Sequence, residues 1–486
     1  MNPSASIITA LLCILSASPG MVTAQQRELT LEECFRLARQ QNIAVEQARR
    51  SLDARQQHLK AEEATYFPKI DLLAGYNYLG QPLEINLQQV KDGIVEGSSQ
   101  QAVSSANTVY KEITGNNLPQ PVQDGIYNTS KNIIGTVYPN YNPPLSKQSY
   151  FTAALGLRQP IYLGGKLATA RNIASAEYQS GIVNVELVEK QTDFALAAAY
   201  IRILYYNAVL QSQGRIVTAM ERNERYAASL VSNEIIPPYQ RNWATVALTY
   251  ARSRQQNMAL EKENALVELK RLLQLPQDTV LTITDTLRYR SLPNTATPVE
   301  FWKGNPAWKA VDSKTALAET TVKATRSLNL PNIFGIATLN LYQRDLPVIT
   351  PPWMVGVEMQ WTLFSGFSNQ KRVRASKLLV EEVKLASDNT RSLLEAGATV
   401  VRNKVTVLER DLQSLAQARD QATLTTAQVQ ERLANQLSSV KDVNESLLLE
   451  EEIGKAYYAA LFGYMLAAAE YYNILGTPRQ ITTLLQ

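Results

Sequence analysis

Histidine, cysteine and long apolar runs are all scarce in this chain, and each scarcity removes a class of function. His58 is the only histidine in 486 residues, so one protomer cannot assemble a His-based triad or a multi-histidine metal site. The cysteines are Cys13 and Cys34. A short apolar run from Ser6 to Ser16, a break at Pro19-Gly20 and small residues at Val22 and Ala24 predict a secretory signal peptide over 1–24. Lipidation of Cys13 is disfavoured, because Leu12 fills the place where a small residue is expected. Cleavage after Ala24 leaves Cys34 alone, which excludes an internal disulfide. No later apolar stretch approaches 20 residues, so no helix is expected to span a membrane. An exported chain of this kind is either soluble or part of a β-barrel.

Charge of one sign is also lacking. With 48 basic and 44 acidic residues the formal charge is only +4, and no basic face concentrates it; no nucleic-acid partner is expected. Arg222/Arg225 and Arg252/Arg254 sit among acids and read as solvated helix surface. His58 reads as a residue of a polar helix face. Gly164-Gly165-Lys166 superficially resembles a phosphate loop, but Pro160 stands where the upstream glycine belongs and Leu167 replaces Ser/Thr. No catalytic residue, metal site or cofactor is expected.

Proline is missing from Lys166 to Val231 and from Ser368 to Leu475. Uninterrupted helices of that length would reach roughly 100 Å for the segment at 166–232 and about 55 Å for those at 30–67 and 239–274. Val401, Leu408, Leu415, Ala422 and Val429 recur every seven residues, with Val405, Leu412 and Leu433 at the companion positions. Arg419 and Thr426 interrupt that companion stripe.

What is present twice is more informative. Pro68-Lys69-Ile70 to Asn77-Tyr78 matches Pro331-Asn332-Ile333 to Asn340-Leu341 at an offset of 263, which also carries Asn42 onto Asn305. Pro160-Ile161-Tyr162-Leu163-Gly164 falls on Thr362-Leu363-Phe364-Ser365-Gly366 at an offset of 202, which also carries Asn233 onto Asn435. The difference of 61 residues between the offsets is one insertion between Tyr78 and Ser149, placed at a loop tip.

The expected layout is a signal peptide (1–24), a first repeat (25–276), an equatorial linker (277–304) and a second repeat (305–486). The first repeat reads helix, strands 69–78 and 150–162 around an inserted extracellular loop 79–149, long helix 166–232, tip 233–238 and helix 239–274. The second reads helix, strands 332–342 and 353–364, long helix 368–434, tip 435–439, helix 440–475 and a C-terminal tail. From Trp353 to Leu363 every second residue is apolar, the pattern of a strand with lipid on one side. Aromatics gather at strand ends, as interfacial girdles require. Four strands cannot close a membrane barrel, and an open edge in lipid is forbidden. Three copies supply twelve strands; two supply eight, with little or no pore. Strand parity puts Asp71, Asn77, Arg158, Asn340 and Glu358 in the barrel lumen, opposite Leu72, Tyr76, Leu157, Leu339 and Val357.

Leu29-Thr30-Leu31-Glu32-Glu33, followed by Ala38 and Asn42, resembles the opening of TolC-family outer membrane efflux proteins. Pro160-Ile161-Tyr162-Leu163-Gly164-Gly165 and Leu363-Phe364-Ser365-Gly366 are similar to that family's strand-to-helix junctions. The resemblance implies an α+β membrane protein. Four strands per chain would join a shared trimeric twelve-stranded β-barrel, and long antiparallel coiled-coil helices would form a periplasmic α-barrel. It implies a homotrimer in the bacterial outer membrane, in contact with its lipid and extending into the periplasm. Its partners would be a periplasmic adaptor and an inner-membrane transporter, in a tripartite efflux or type I secretion system. It implies no particular cargo; drugs, metal ions and secreted proteins all leave through such ducts. Adaptor-docking tips are expected at Asn233, Ile235, Pro237, Asn435, Leu437 and Ser438, with Asn233 and Asn435 taking the left-handed conformation that ends a helix. Ser438 or Ser439 is expected to cap the helix that follows. Asp442 and Glu445 are implied as a periplasmic gate, with Lys441 and Asn444 as bystanders. The alternative reading is an exported structural coiled-coil protein, which would not need four alternating strands.

Overall fold

The computed structural model describes residues 27–82, 84–138, 147–293, 297–343 and 351–485. The expected signal peptide and Cys13 lie outside the described residues. In chain order the elements begin with β1 (Arg27–Leu29), α1 (Leu31–Gln41), α2 (Ile43–Ala64) and β2 (Lys69–Tyr78). There follow α3 (Gln88–Thr114), α4 (Gln120–Val137), β3 (Ser149–Tyr162), α5 (Lys166–Ser232) and α6 (Pro238–Leu273). The rest are β4 (Leu281–Ile283), α7 (Pro306–Arg326), β5 (Asn332–Tyr342), β6 (Trp353–Gln360), α8 (Ser368–Ala434) and α9 (Val440–Ile474). None of the described helices is long and apolar enough to cross a membrane. They fall into two compact units, one drawn from the described residues of 1–62, 168–325 and 367–486, the other from 63–167 and 326–366.

The helical unit is organised by caps at its breaks. Thr30 closes a capping box on α1, its hydroxyl accepting from the Glu33 N–H while its own N–H donates to the Glu33 carboxylate. The single rising helix expected over 30–67 is instead two helices. Asn42 leaves the helical region, and its side-chain oxygen accepts from the Ala44 and Val45 N–H groups, starting α2 afresh. Its amide donates to the Leu272 carbonyl at 2.9 Å. Asn305 repeats the arrangement: its oxygen accepts from the Ala307 N–H and its amide donates to the Ile474 carbonyl at 2.8 Å. The same offsets read from the sequence carry one bond onto the other.

The main core of this unit gathers Leu31, Phe35, Leu196, Tyr200, Leu269, Tyr464 and Met465. Tyr200 donates to Asp285 at 2.6 Å, tying the 277–304 segment down. That segment is more than a linker, since β4 pairs in parallel with β1. The C-terminal tail also docks. Ile481 and Leu484 are buried, and Arg479 makes a two-pronged bond to buried Asp193 at 2.7 and 3.0 Å. Cys34 is fully buried, which pushes its thiol up to about 12 and leaves it inert.

Along α8 and α9 the seven-residue stripe faces the packed seam. Val401, Val405, Leu412, Ala422 and Leu433 are buried. The two interruptions have partners: Thr426 donates to the Ser446 carbonyl, and Arg419 lies over the Tyr457 ring at 4.3 Å.

The second unit is an antiparallel sheet in the order β2-β3-β5-β6. The strand expected to run to Phe364 stops at Gln360, because its partner β5 begins at Asn332, opposite Gln360. Past that point no strand among the described residues remains to pair, and Trp361 donates its indole N–H to the Asn329 carbonyl instead. The expected loop at 79–149 is largely helical among its described residues, as a hairpin of α3 and α4. The Leu79 N–H donates to the Gln148 carbonyl where the hairpin leaves the sheet. Each junction from strand to long helix carries two consecutive left-handed residues, Gly164-Gly165 (φ 60° and 81°) and Gly366-Phe367 (φ 61° and 63°). Glycine meets that demand without strain at three of the four positions.

Candidate channel surfaces and helix tips

The sheet register brings all five expected lumenal residues to one face. Asp71 pairs with Gly156, which pairs with Thr338, and Thr338 with Met354. Directly opposed residues share a face, and alternate residues along each strand do too. Asn77, Arg158, Asn340 and Glu358 therefore lie on the side of Asp71, with Lys69 and Gln360 beside them. The guanidinium of Arg158 stacks on the Phe334 ring at 3.9 Å. The other face holds Ile70, Leu72, Tyr76, Leu155, Leu157, Leu339, Trp353, Val355 and Val357, with no charged side chain along the paired register and one amide, Gln159, which donates to the Tyr66 carbonyl at 3.0 Å. Among the described residues β2 and β6 each pair on one side only.

The two helix tips share one geometry. The left-handed residues are Glu234 (φ 59°) and Gln436 (φ 64°), one place later than the asparagines expected to adopt it. Asn435 stays at φ −90°. Both asparagines do other work, their side-chain amides donating to the Ser229 and Glu431 carbonyls four residues back. The Ile235 and Leu437 N–H groups close a six-residue loop onto the Leu230 and Arg432 carbonyls, satisfying the helix ends. Ile235 and Leu437 are left 60% and 65% exposed. Pro237 precedes α6, and Ser438 accepts from Arg432. The cap of α9 is Ser439, in a capping box with Asp442.

That box engages one of the two expected gate acids. The Ser439 N–H donates to the Asp442 carboxylate at 2.8 Å, and this bond holds the carboxyl below its usual pKa. Glu445 lies 3.6 Å from Lys441 on the same helix. Lys441 also stands over the Trp243 ring of α6 at 5.5 Å. It therefore sets a positive charge beside the two acids. Asn444 is turned away from the exposed acids: it is buried and accepts from Asn223 at 2.7 Å.

Sequence reasoning missed three features. Tyr239 and Trp243 are exposed one turn past the first tip, in edge contact at 6.5 Å. The Asn223–Asn444 bond joins α5 to α9. Arg254, expected on the solvated surface, is mostly covered and reaches the buried Glu451 at 3.2 Å. The i,i+4 aromatic pair after Pro237-Pro238 was the available signal for the first; pairings between distant helices left none. His58 is exposed on α2, 4.0 Å from Glu62.

No protein-family model and no curated protein matches the sequence. Solved structures do match its fold. The Campylobacter jejuni CmeC outer membrane channel aligns at a TM-score of 0.70 with 13% identity, covering 94% of this chain and 90% of that one. The Vibrio cholerae outer membrane protein VceC aligns at 0.65 with 13% identity, covering 92% and 96%. The open state of the Neisseria gonorrhoeae MtrE outer membrane channel aligns at 0.66 with 13% identity, covering 92% and 89%. The chain has the fold of the TolC-like outer membrane channels, the family that its motifs resemble.

Proposed function

We propose that this chain is one subunit of a trimeric outer membrane channel that serves as a passive exit duct. It would extend into the periplasm and work with an adaptor and an inner-membrane transporter in efflux or type I secretion. The observation that carries this reading is the four-stranded sheet, with one face apolar but for Gln159 at its end and, among the described residues, two unpaired edges. In lipid those edges must be paired, and pairing β2 of one copy with β6 of the next closes twelve strands around a lumen lined by the mixed face, which holds the sheet's charged side chains. Asp71, Asn77, Arg158, Asn340 and Glu358 would then line it.

The halves are inferred to be copies of one plan. The matched bonds at Asn42 and Asn305, the matched tips and the paired left-handed junctions support that duplication. Asp442 and Glu445 are read as the gate at the periplasmic entrance, and the tips at Ile235 and Leu437 as the adaptor contact. Exposed aliphatic side chains on hydrogen-bonded turns offer an apolar contact to such a partner.

The test is direct. Purified in detergent, the protein should have three times the mass of the mature chain, and in planar bilayers it should open ion-conducting pores. A monomer by mass, or an assembly without conductance, would sink the reading.

A further inference from the structure

Between β2 and β3 the chain inserts the α3–α4 hairpin, and the two helices cover each other along a single seam. Val95 and Ser99 are buried there, and Tyr127 and Lys131 of α4 both bond to Glu96 of α3. No other element packs extensively on either helix among the described residues. Most exposed side chains of the hairpin are polar, but apolar ones gather at its bend, where water would be expected. Around the bend, Ala106, Val109, Tyr110, Ile113, Leu118 and Ile126 line a hollow of about 490 Å³. Ile113 is 78% exposed, and Val122 and Ile133 of α4 are exposed as well. Such a patch marks an interface.

We infer that the α3–α4 hairpins of one assembly pack on one another through this bend, forming a helical crown at the outer mouth; this rests on the channel reading above. Three observations favour a second copy as the occupant. First, the hairpin leaves from β2, an edge strand, and so stands at the seam that the neighbouring copy must close. Second, it is nearly neutral. Lys91, Lys111 and Lys131 stand against Asp92, Glu96, Glu112 and Asp124, a net charge of −1. Like copies do not repel at that charge, whereas an anionic lipid surface would select a basic patch. Third, the lengths fit. Twelve tilted strands enclose a barrel of roughly 12 Å radius, and the 27 residues of α3 run roughly 40 Å. Hairpins rooted on that rim reach one another.

The test uses the full-length purified assembly with single cysteines added, Cys34 being buried and inert. In one chain Ile113 and Asp124 are both exposed; Asp124 lies two residues from Ile126 and so on the far side of α4. A water-soluble maleimide should modify Ile113→Cys at least ten-fold more slowly than Asp124→Cys. In a second variant, Ile113→Asp should restore fast labelling of Val109→Cys while the trimer mass holds. Equal rates at Ile113→Cys and Asp124→Cys in a protein of trimer mass overturn the crown and leave the channel reading intact. Protection of Ile113→Cys on whole cells but not in the pure assembly assigns the face to another partner and also overturns it. A monomer by mass overturns both.

Discussion

At Gly164 two demands meet in one residue. Its φ is +60°, and an added Cβ would sit 2.5 Å from the Leu330 Cβ. Gly366, at the equivalent junction, has the same φ but open space around it. Gly164→Ala should cost about 1 kcal/mol for the left-handed backbone plus roughly 1–3 kcal/mol of overpacking. Gly366→Ala should cost only the first. Thermal unfolding of the two variants side by side checks the difference; equal losses would show that Leu330 moves aside. Asp442 gives a pH-dependent case. Its pKa is lowered by the Ser439 N–H, so the stability it lends to α9 is complete above its unfolded pKa of about 4 and is lost as pH falls through the lowered value. Asp442→Ala should weaken the start of α9 by about 1 kcal/mol at neutral pH. Amide exchange across 440–443 should report that loss, and the variant should match the native chain once the pH is below the lowered pKa. The glycines of the junctions were legible in the sequence, because left-handed backbone leaves a residue-type signature. The left-handed positions at Glu234 and Gln436 were not, because neither side chain advertises that conformation and the neighbouring asparagines do.

Elements were legible in proportion to how far their pattern is local. The alternation along β6 declared its faces, but its end depended on where β5 begins. The seven-residue stripe of α8 declared a buried seam, but not which residues across it would bond. The register now makes the strand faces testable. Cysteines at Asp71, Asn77, Arg158, Asn340 and Glu358 should react with a water-soluble thiol reagent in the membrane-embedded protein, and those at Leu72, Leu157, Leu339 and Val357 should not. Reversed labelling would mean that lipid covers the mixed face. The Asn223–Asn444 bond is the element-scale contact that no pattern exposed, its partners lying 221 residues apart. Asn223→Ala should destabilise by about 1–3 kcal/mol, since it removes the donor to the buried Asn444 side-chain oxygen. Asn223→Leu combined with Asn444→Leu should recover much of that loss. A double variant as unstable as the single one would mean that packing, not the bond, decides this position.

For the whole molecule, the decisive quantity is the charge that the helix tips would place around the entrance. Asp442 and Glu445 alone would give each subunit two negative charges on one helix face. Lys441, 3.6 Å from Glu445 and over the Trp243 ring, offsets one of them. These three residues together carry a net charge of −1 per subunit, so their threefold ring is acidic but half as charged as the acids alone imply, with Arg432 of the same tip screening Asp442 further. Such a ring attracts cations, and multivalent ones most. Conductance in planar bilayers should therefore be cation-selective and reduced by multivalent cations added on the tip side. Replacing Asp442 and Glu445 by alanine should abolish that block and weaken the selectivity without changing the assembly's mass. Lys441→Gln makes the prediction specific. It removes the offsetting charge, so cation preference and block should both become stronger than in the native channel. Were Lys441 a bystander, the variant would leave both unchanged. If the variant instead weakens them, the cation path does not pass this face of α9, and the narrow point of the duct lies elsewhere along the helices.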